Sequence, residues 1–162
     1  DGPSLGGFVC PVTVIQADLW KLGQLKAGDK IRFTPVSHDT AVTLRDQQLK
    51  QLNTLEYEAS EVSEYLPESP VLNTIDTSNH PTGVVYRPAG DNYLLIEYGP
   101  LQLDIRLRFR VHALMESLQS RDIPGIIEMT PGIRSLQIHY DSLALKQNDL
   151  LDLLIKEDLV SF

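Results

Sequence analysis

At 162 residues, 42% of them apolar, the chain is long enough to bury one good core or two small ones. Its 22 acidic residues outnumber 14 lysines and arginines, and a net charge of −8 argues against nucleic acid as a partner. No apolar run approaches the length of a membrane span and no signal-peptide pattern is visible; a single cysteine, Cys10, excludes an intrachain disulfide and fits a reducing, cytoplasmic setting.

The chain opens on Asp1-Gly2-Pro3-Ser4-Leu5-Gly6-Gly7-Phe8 without a start methionine. A Gly/Pro turn running straight into an apolar stretch reads as the last part of a larger domain, so the expectation is an excised piece of a parent protein. Residues 8–36 then read as strands. Phe8 to Ile15 is rich in β-branched residues, Lys26-Ala27-Gly28-Asp29 is a turn signal, and Lys30 to Val36 alternates with period two. Cys10, inside the first of these runs with no basic neighbour, is a small buried hydrophobe rather than a nucleophile. Trp20 reads as core.

Residues 39–66 change character. Ala41, Leu44, Gln48, Leu52 and Leu55 recur at three- and four-residue steps, predicting an amphipathic helix capped by Asp39 or Thr40. Glu56, Glu58, Glu61 and Glu64 follow as an acidic patch with no histidine among them, a solvated face rather than a metal site. Pro67, Pro70, Pro81 and Gly83, set among Ser, Thr and Asn, mark a linker, and the domain boundary is placed in it. His38 and His80 fall in linker-like segments.

Residues 84–162 form a compact unit of order ββαββα. Val84-Val85-Tyr86 and Tyr93 to Tyr98 are strands joined through residues 88–92, where Asp91 is expected to hydrogen-bond its own turn. Leu103, Leu107, Val111, Leu114, Met115 and Leu118 mark one face of a helix over 103–119. Arg106, Arg108 and Arg110 spread around that helix and read as solvated surface, with His112 beside them. Two more strands, 125–129 and 135–140, flank the turn Thr130-Pro131-Gly132-Ile133. A last helix spans 147–159 with Asn148 as its cap. The order implies a mainly antiparallel sheet with helices on one face. His139 and Asp141 share one strand face, but no third and fourth ligand accompanies them, so a metal is not expected.

Two separated groups of motifs carry a resemblance. Gly2 to Phe8, Thr13-Val14, Trp20-Lys21-Leu22-Gly23-Gln24 and Gly28-Asp29 resemble the end of an allophanate hydrolase subunit 2 type domain. Tyr86-Arg87-Pro88-Ala89-Gly90-Asp91, Leu95 to Gly99, Arg110 to Leu114 and Pro131 to Asp141 are similar to the start of the subunit 1 type domain. The two occur in this order on one chain in the carboxyltransferase part of urea carboxylase and of fungal urea amidolyase.

The resemblance implies an α+β fold in three parts. Residues 1–37 would be the terminal strands of a cyclophilin-like β-barrel, 38–83 a helix and linker, and 84–162 a small ββαββα sandwich. It implies a fragment of a biotin-dependent, cytoplasmic ligase that passes the carboxyl of carboxybiotin to urea, giving allophanate. Biotin would be held covalently elsewhere in the parent, whose biotin carboxylase would use ATP and Mg; none of these would be bound here, and the fragment alone would be inactive. Its partners would be urea, carboxybiotin, the other carboxyltransferase half and the carrier domain, with no nucleic acid and no membrane.

That chemistry needs donors aimed at a developing oxyanion and a carboxylate. Ser4, Gly6 and Gly7 are the candidates for backbone N–H donation, since glycines let the main chain approach closely. The alternative is that both glycines only turn the chain into its strand. Arg134, after a tight turn, is the candidate carboxylate clamp, or else half of a salt bridge at a strand edge. The competing reading of the whole is a protein-interaction module of the kinase-inhibitor or 5-oxoprolinase subunit type.

Overall fold

The computed structural model describes residues 12–57, 59, 62–66 and 69–160. Five strands, β1 (Asn73–Ile75), β2 (Val84–Pro88), β3 (Tyr93–Tyr98), β4 (Ile126–Pro131) and β5 (Ser135–Tyr140), form one antiparallel sheet in the order β1-β2-β3-β5-β4. Period-two alternation sends Val84 and Tyr86, then Leu94, Ile96 and Tyr98, then Leu136, Ile138 and Tyr140 to one face, each at most 1% exposed. Two helices cover that face. Helix α3 (Ile105–Arg121) contributes Leu107, Val111, Leu114 and Leu118, and α4 (Gln147–Val160) contributes Leu150 and Leu154. Fully burying side chains of this size is worth about 1.5–3 kcal/mol each, so this interface is the main source of stability.

The helix ends explain where the periodic reading slipped. Asp104, extended at φ −136°, caps α3 by accepting the Arg106 N–H at 2.9 Å, so Leu103 lies outside the helix and is 86% exposed. Helix α4 begins at Gln147, which places Asn148 inside its first turn rather than at its cap. Between Ile126 and Glu128 the β4–β5 register shifts by a bulge, and Ile127 turns outward at 58% exposure. The stretch read as a linker contributes β1, an edge strand paired with β2.

The barrel expectation is overturned. The sheet is open, with β1 and β4 at its edges. Residues 16–22 are a 3-10 turn (Gln16–Asp18) running into a short helix, α1 (Leu19–Leu22), and Lys30 to Val36 form no strand. Alternation of apolar and polar residues prepares a segment to pair but supplies no partner, and a strand exists only where a neighbouring backbone completes its hydrogen bonds. Cys10 and the first part of the Phe8 to Ile15 run fall outside the described residues. Trp20, 57% exposed, is not core.

Helix α2 (His38–Thr54) is capped not by Asp39 or Thr40 but by Ser37, two residues before Asp39; the Ser37 Oγ accepts from the Thr40 N–H at 3.1 Å. Its expected apolar stripe is only partly used: Ala41 is 2% exposed, whereas Leu52 and Leu55 are 66% and 89% exposed.

Candidate functional site

Arg134 follows the β4–β5 turn and lies beside the end of β3. Its Nη2 donates to Glu97 Oε1 at 2.7 Å, and its Nη1 to the carbonyls of Gly99 (3.2 Å) and Tyr98 (3.4 Å). Glu97 also accepts from Arg87 Nε at 2.8 Å through its other oxygen, so one carboxylate is shared by two guanidinium groups on the sheet face opposite the helices. The salt-bridge arrangement is therefore the one Arg134 adopts. Ser4, Gly6 and Gly7 lie outside the described residues.

Under the helices, a buried ionic cluster joins four elements. Asp158 of α4 accepts from Tyr86 Oη (2.5 Å), Tyr98 Oη (2.6 Å) and Arg110 Nη2 (3.0 Å). The same Arg110 nitrogen donates to the Asp158 carbonyl and to His80 Nε2, each at 2.7 Å. On its other side the His80 ring meets Thr82, whose N–H donates to Nδ1 at 3.3 Å and whose Oγ1 lies 3.2 Å from the same nitrogen. Burial, followed by the Asp158 charge, pushes both phenols far above their ordinary range. Burial, followed by the nearby Arg110, lowers His80. Arg110 is thus not solvated surface but core, only 4% exposed. Its position three residues after Leu107 and four before Leu114 puts it on the apolar stripe, a signal available in the sequence.

At the opposite end of β3 from Arg134, the N-terminal segments meet the sheet. Asp91 does not close its own turn. Both its carboxylate oxygens accept from the Gln16 N–H, at 3.2 Å each, 75 residues away. Arg45 of α2 reaches Asn92 Oδ1, Ser142 Oγ and Asp141 Oδ1, all at 3.1 Å, from a single nitrogen. His38 Nε2 lies 3.2 Å from Tyr140 Oη, and Gln48 Nε2 donates to the Ala17 carbonyl at 3.0 Å. Gly90, at φ +90°, approaches Thr13 so closely that a Cβ there would sit 2.9 Å from Thr13 Cγ2. Asp91 and Asn92 are 4% and 5% exposed. Arg45 lies four residues after buried Ala41, on the same helix face, while nothing in the sequence near Asp91 points to Gln16.

The remaining candidates separate. His139 stacks on Tyr93, ring centroids 4.4 Å apart, on the outer sheet face, whereas Asp141 pairs with Arg45. His112 pairs with Glu116 on the helix surface at 3.3 Å. Among the described residues no group of three His, Cys, Asp or Glu side chains could hold a metal ion. Two open hollows flank α3. One, of about 520 Å³, is lined by Ile105, Arg108, Gly132 and Ile133; the other, of about 440 Å³, is lined by His80, Gln102, Arg106 and Arg110. Arg108 is committed to the Gly132 carbonyl (2.8 Å) and Arg106 to Asp104 (2.6 Å).

Comparison with known proteins agrees with the two-part reading. Residues 1–35 match the family model for the carboxyltransferase domain, subdomain A and B, and residues 84–159 match that for subdomain C and D. The chain is 42% identical over 161 residues to the urea amidolyase of Lachancea kluyveri, aligning 96% of this chain with 9% of that protein. It is 31% identical over 182 residues to a putative urea carboxylase of Emericella nidulans, covering 95% of this chain and 14% of that one. The crystal structure of Kluyveromyces lactis urea carboxylase superposes with a TM-score of 0.83 at 37% identity, over 94% of this chain and 14% of that chain. The chain therefore spans a small fraction of the length of these relatives. With both models matched in sequence order on one polypeptide, the chain belongs to the carboxyltransferase-domain family.

Proposed function

We propose that this chain is part of the carboxyltransferase of a biotin-dependent urea carboxylase, which moves a carboxyl group from carboxybiotin to urea and so forms allophanate. The observation that carries this reading is the continuity of the likeness. Identity of 42% to a urea amidolyase runs through both matched regions and through the helix and strand between them. In this reading residues 1–37 close the first carboxyltransferase half, 38–83 connect, and 84–162 open the second.

Biotin, carried elsewhere in the parent, supplies the activated carboxyl group, and ATP with Mg serves its loading. Of the guanidinium groups lining the two hollows, Arg108 is engaged by Gly132 and Arg106 by Asp104. The fragment alone is expected to be inactive. What this chain would supply is fixed polarity. The backbone N–H groups of Ser4, Gly6 and Gly7 would face an oxyanion. Arg134, held in place by Glu97 and two carbonyls, would present the remaining donors of its fork to a carboxylate.

The test is allophanate formation by the parent protein supplied with ATP, bicarbonate, biotinylated carrier and urea. Activity should be present and should fall with Gly7→Val and with Arg134→Ala while biotin carboxylation persists. Failure to carboxylate urea, with engagement of a protein partner or of 5-oxoproline instead, would replace this reading with the interaction-module one.

A further inference from the structure

We infer that Arg45 and Asp91 are positioning residues that lock the two carboxyltransferase units together, an inference that rests on the proposed division of the chain at its connecting segment. Three segments meet at one end of the sheet: a stretch of the first unit (Thr13 to Ala17), the connecting helix α2, and the β2–β3 turn with the residues after β5. Every polar contact across this junction joins groups far apart in sequence, and several are charged. Asp91 holds the Gln16 N–H with both oxygens, and Arg45 gathers three acceptors from two different loops of the second unit. Gln48 ties α2 to the first unit through the Ala17 carbonyl. The junction thus closes a triangle, with each segment bonded to the other two.

A triangle of this kind resists rotation where a single contact would act as a hinge. Charge-assisted hydrogen bonds are stronger and more directional than neutral ones, and Asp91 is only 4% exposed, which shields it from competing water. Gly90 sharpens the constraint, because its turn touches Thr13 with no room for a side chain. The fully buried apolar residues of these segments are the small Ala17 and Ala41, with Val14, Ile15, Val42 and Leu44 half-buried. The polar contacts, being directional, fix orientation more sharply than apolar contact does. If substrate and carboxyl donor meet between elements of both units, an error of about 1 Å in their placement would slow transfer on the order of 100-fold.

Two readouts test this. The first is distance, measured by electron spin resonance in the 162-residue chain with Cys10→Ser and spin labels attached through Leu52→Cys on α2 and Ile127→Cys on β4. A single narrow distribution is expected, broadened by Arg45→Met with Asp91→Asn and partly restored when Arg45→Lys replaces Arg45→Met. A broad distribution in the starting chain, or none of this broadening in the double variant, overturns the lock. The second is turnover in the parent enzyme carrying the same substitutions. Urea-dependent kcat should fall at least tenfold while biotin carboxylation and the KM for bicarbonate hold. Unchanged urea turnover in a variant whose distances have broadened overturns the positioning role. If the parent carboxylates no urea at all, the functional reading fails, and the distance measurement still decides whether the lock exists.

Discussion

Asp158→Asn removes one negative charge from the interior while keeping the shape of the side chain. Arg110 and Asp158 are 4% and 1% exposed, so the arginine left behind would be a buried charge facing a neutral amide. Tyr86 and Tyr98 both donate to that carboxylate, and an amide oxygen can serve them less well. Breaking a buried pair by removing one partner costs about 3–5 kcal/mol, a large share of the total stability of a domain this size. For a unit of roughly 80 residues each kcal/mol moves Tm by about 4–8 °C, so the fall should be at least about 12 °C. Urea denaturation followed by tyrosine fluorescence and far-UV dichroism would measure it, with m unchanged if both states keep their compactness. The companion variant Arg110→Met with Asp158→Asn removes both charges, leaves an acceptor for the two phenols, and should recover more than half of the loss, because the cost of the single variant is mainly the unpaired buried charge. A loss below about 1 kcal/mol for Asp158→Asn, or a double variant as unstable as the sum of its singles, would refute the reasoning.

His80 is held below its ordinary value of 6.5 by burial and by Arg110, so the unfolded chain binds more protons as pH drops. Stability should be full above about pH 6.5 and decline as pH falls through that value toward the lowered folded pKa. His80→Gln should flatten this slope in denaturation series, and an unaltered slope would show that another group titrates. Gly90→Ala meets both a left-handed backbone at φ +90° and the Thr13 methyl at 2.9 Å, so it should destabilise by about 1 kcal/mol or more. Thr13→Ala in the same chain should relieve the steric part but not the backbone part. The buried apolar cluster draws its residues from position 84 onward, with Leu72 and Ile75 at its margin. Residues 70–162 should therefore fold without the rest, showing slow amide exchange in β2, β3 and β5; uniformly fast exchange there would sink that claim.

Much of the second unit was legible because its patterns are local. Alternation in Tyr93 to Tyr98 and Ser135 to Tyr140, and the stripe Leu107, Val111, Leu114, Leu118, each specify an element and its buried face within a few residues. The errors have different sources. The strand signal at Lys30 to Val36 was real as a pattern but had nothing to pair with among the described residues, and β1 was hidden because three residues among prolines carry no periodicity. Arg110 was misassigned because arginine is usually solvated, although its spacing already placed it in the stripe. Of the proposed site, Arg134 was found with both its readings open, and the structure shows it in the salt bridge with Glu97.

The sequence by itself determined the family, the order ββαββα and the hydrophobic face of most of its elements, since these follow from spacing along the chain. Only the tertiary structure decided which polar groups became partners. Asp91 bonds Gln16 across 75 residues, and Tyr86 reaches Asp158 across 72. A hydrogen bond needs two groups within about 3 Å, and for residues so far apart that proximity is set by the folded backbone rather than by any local pattern.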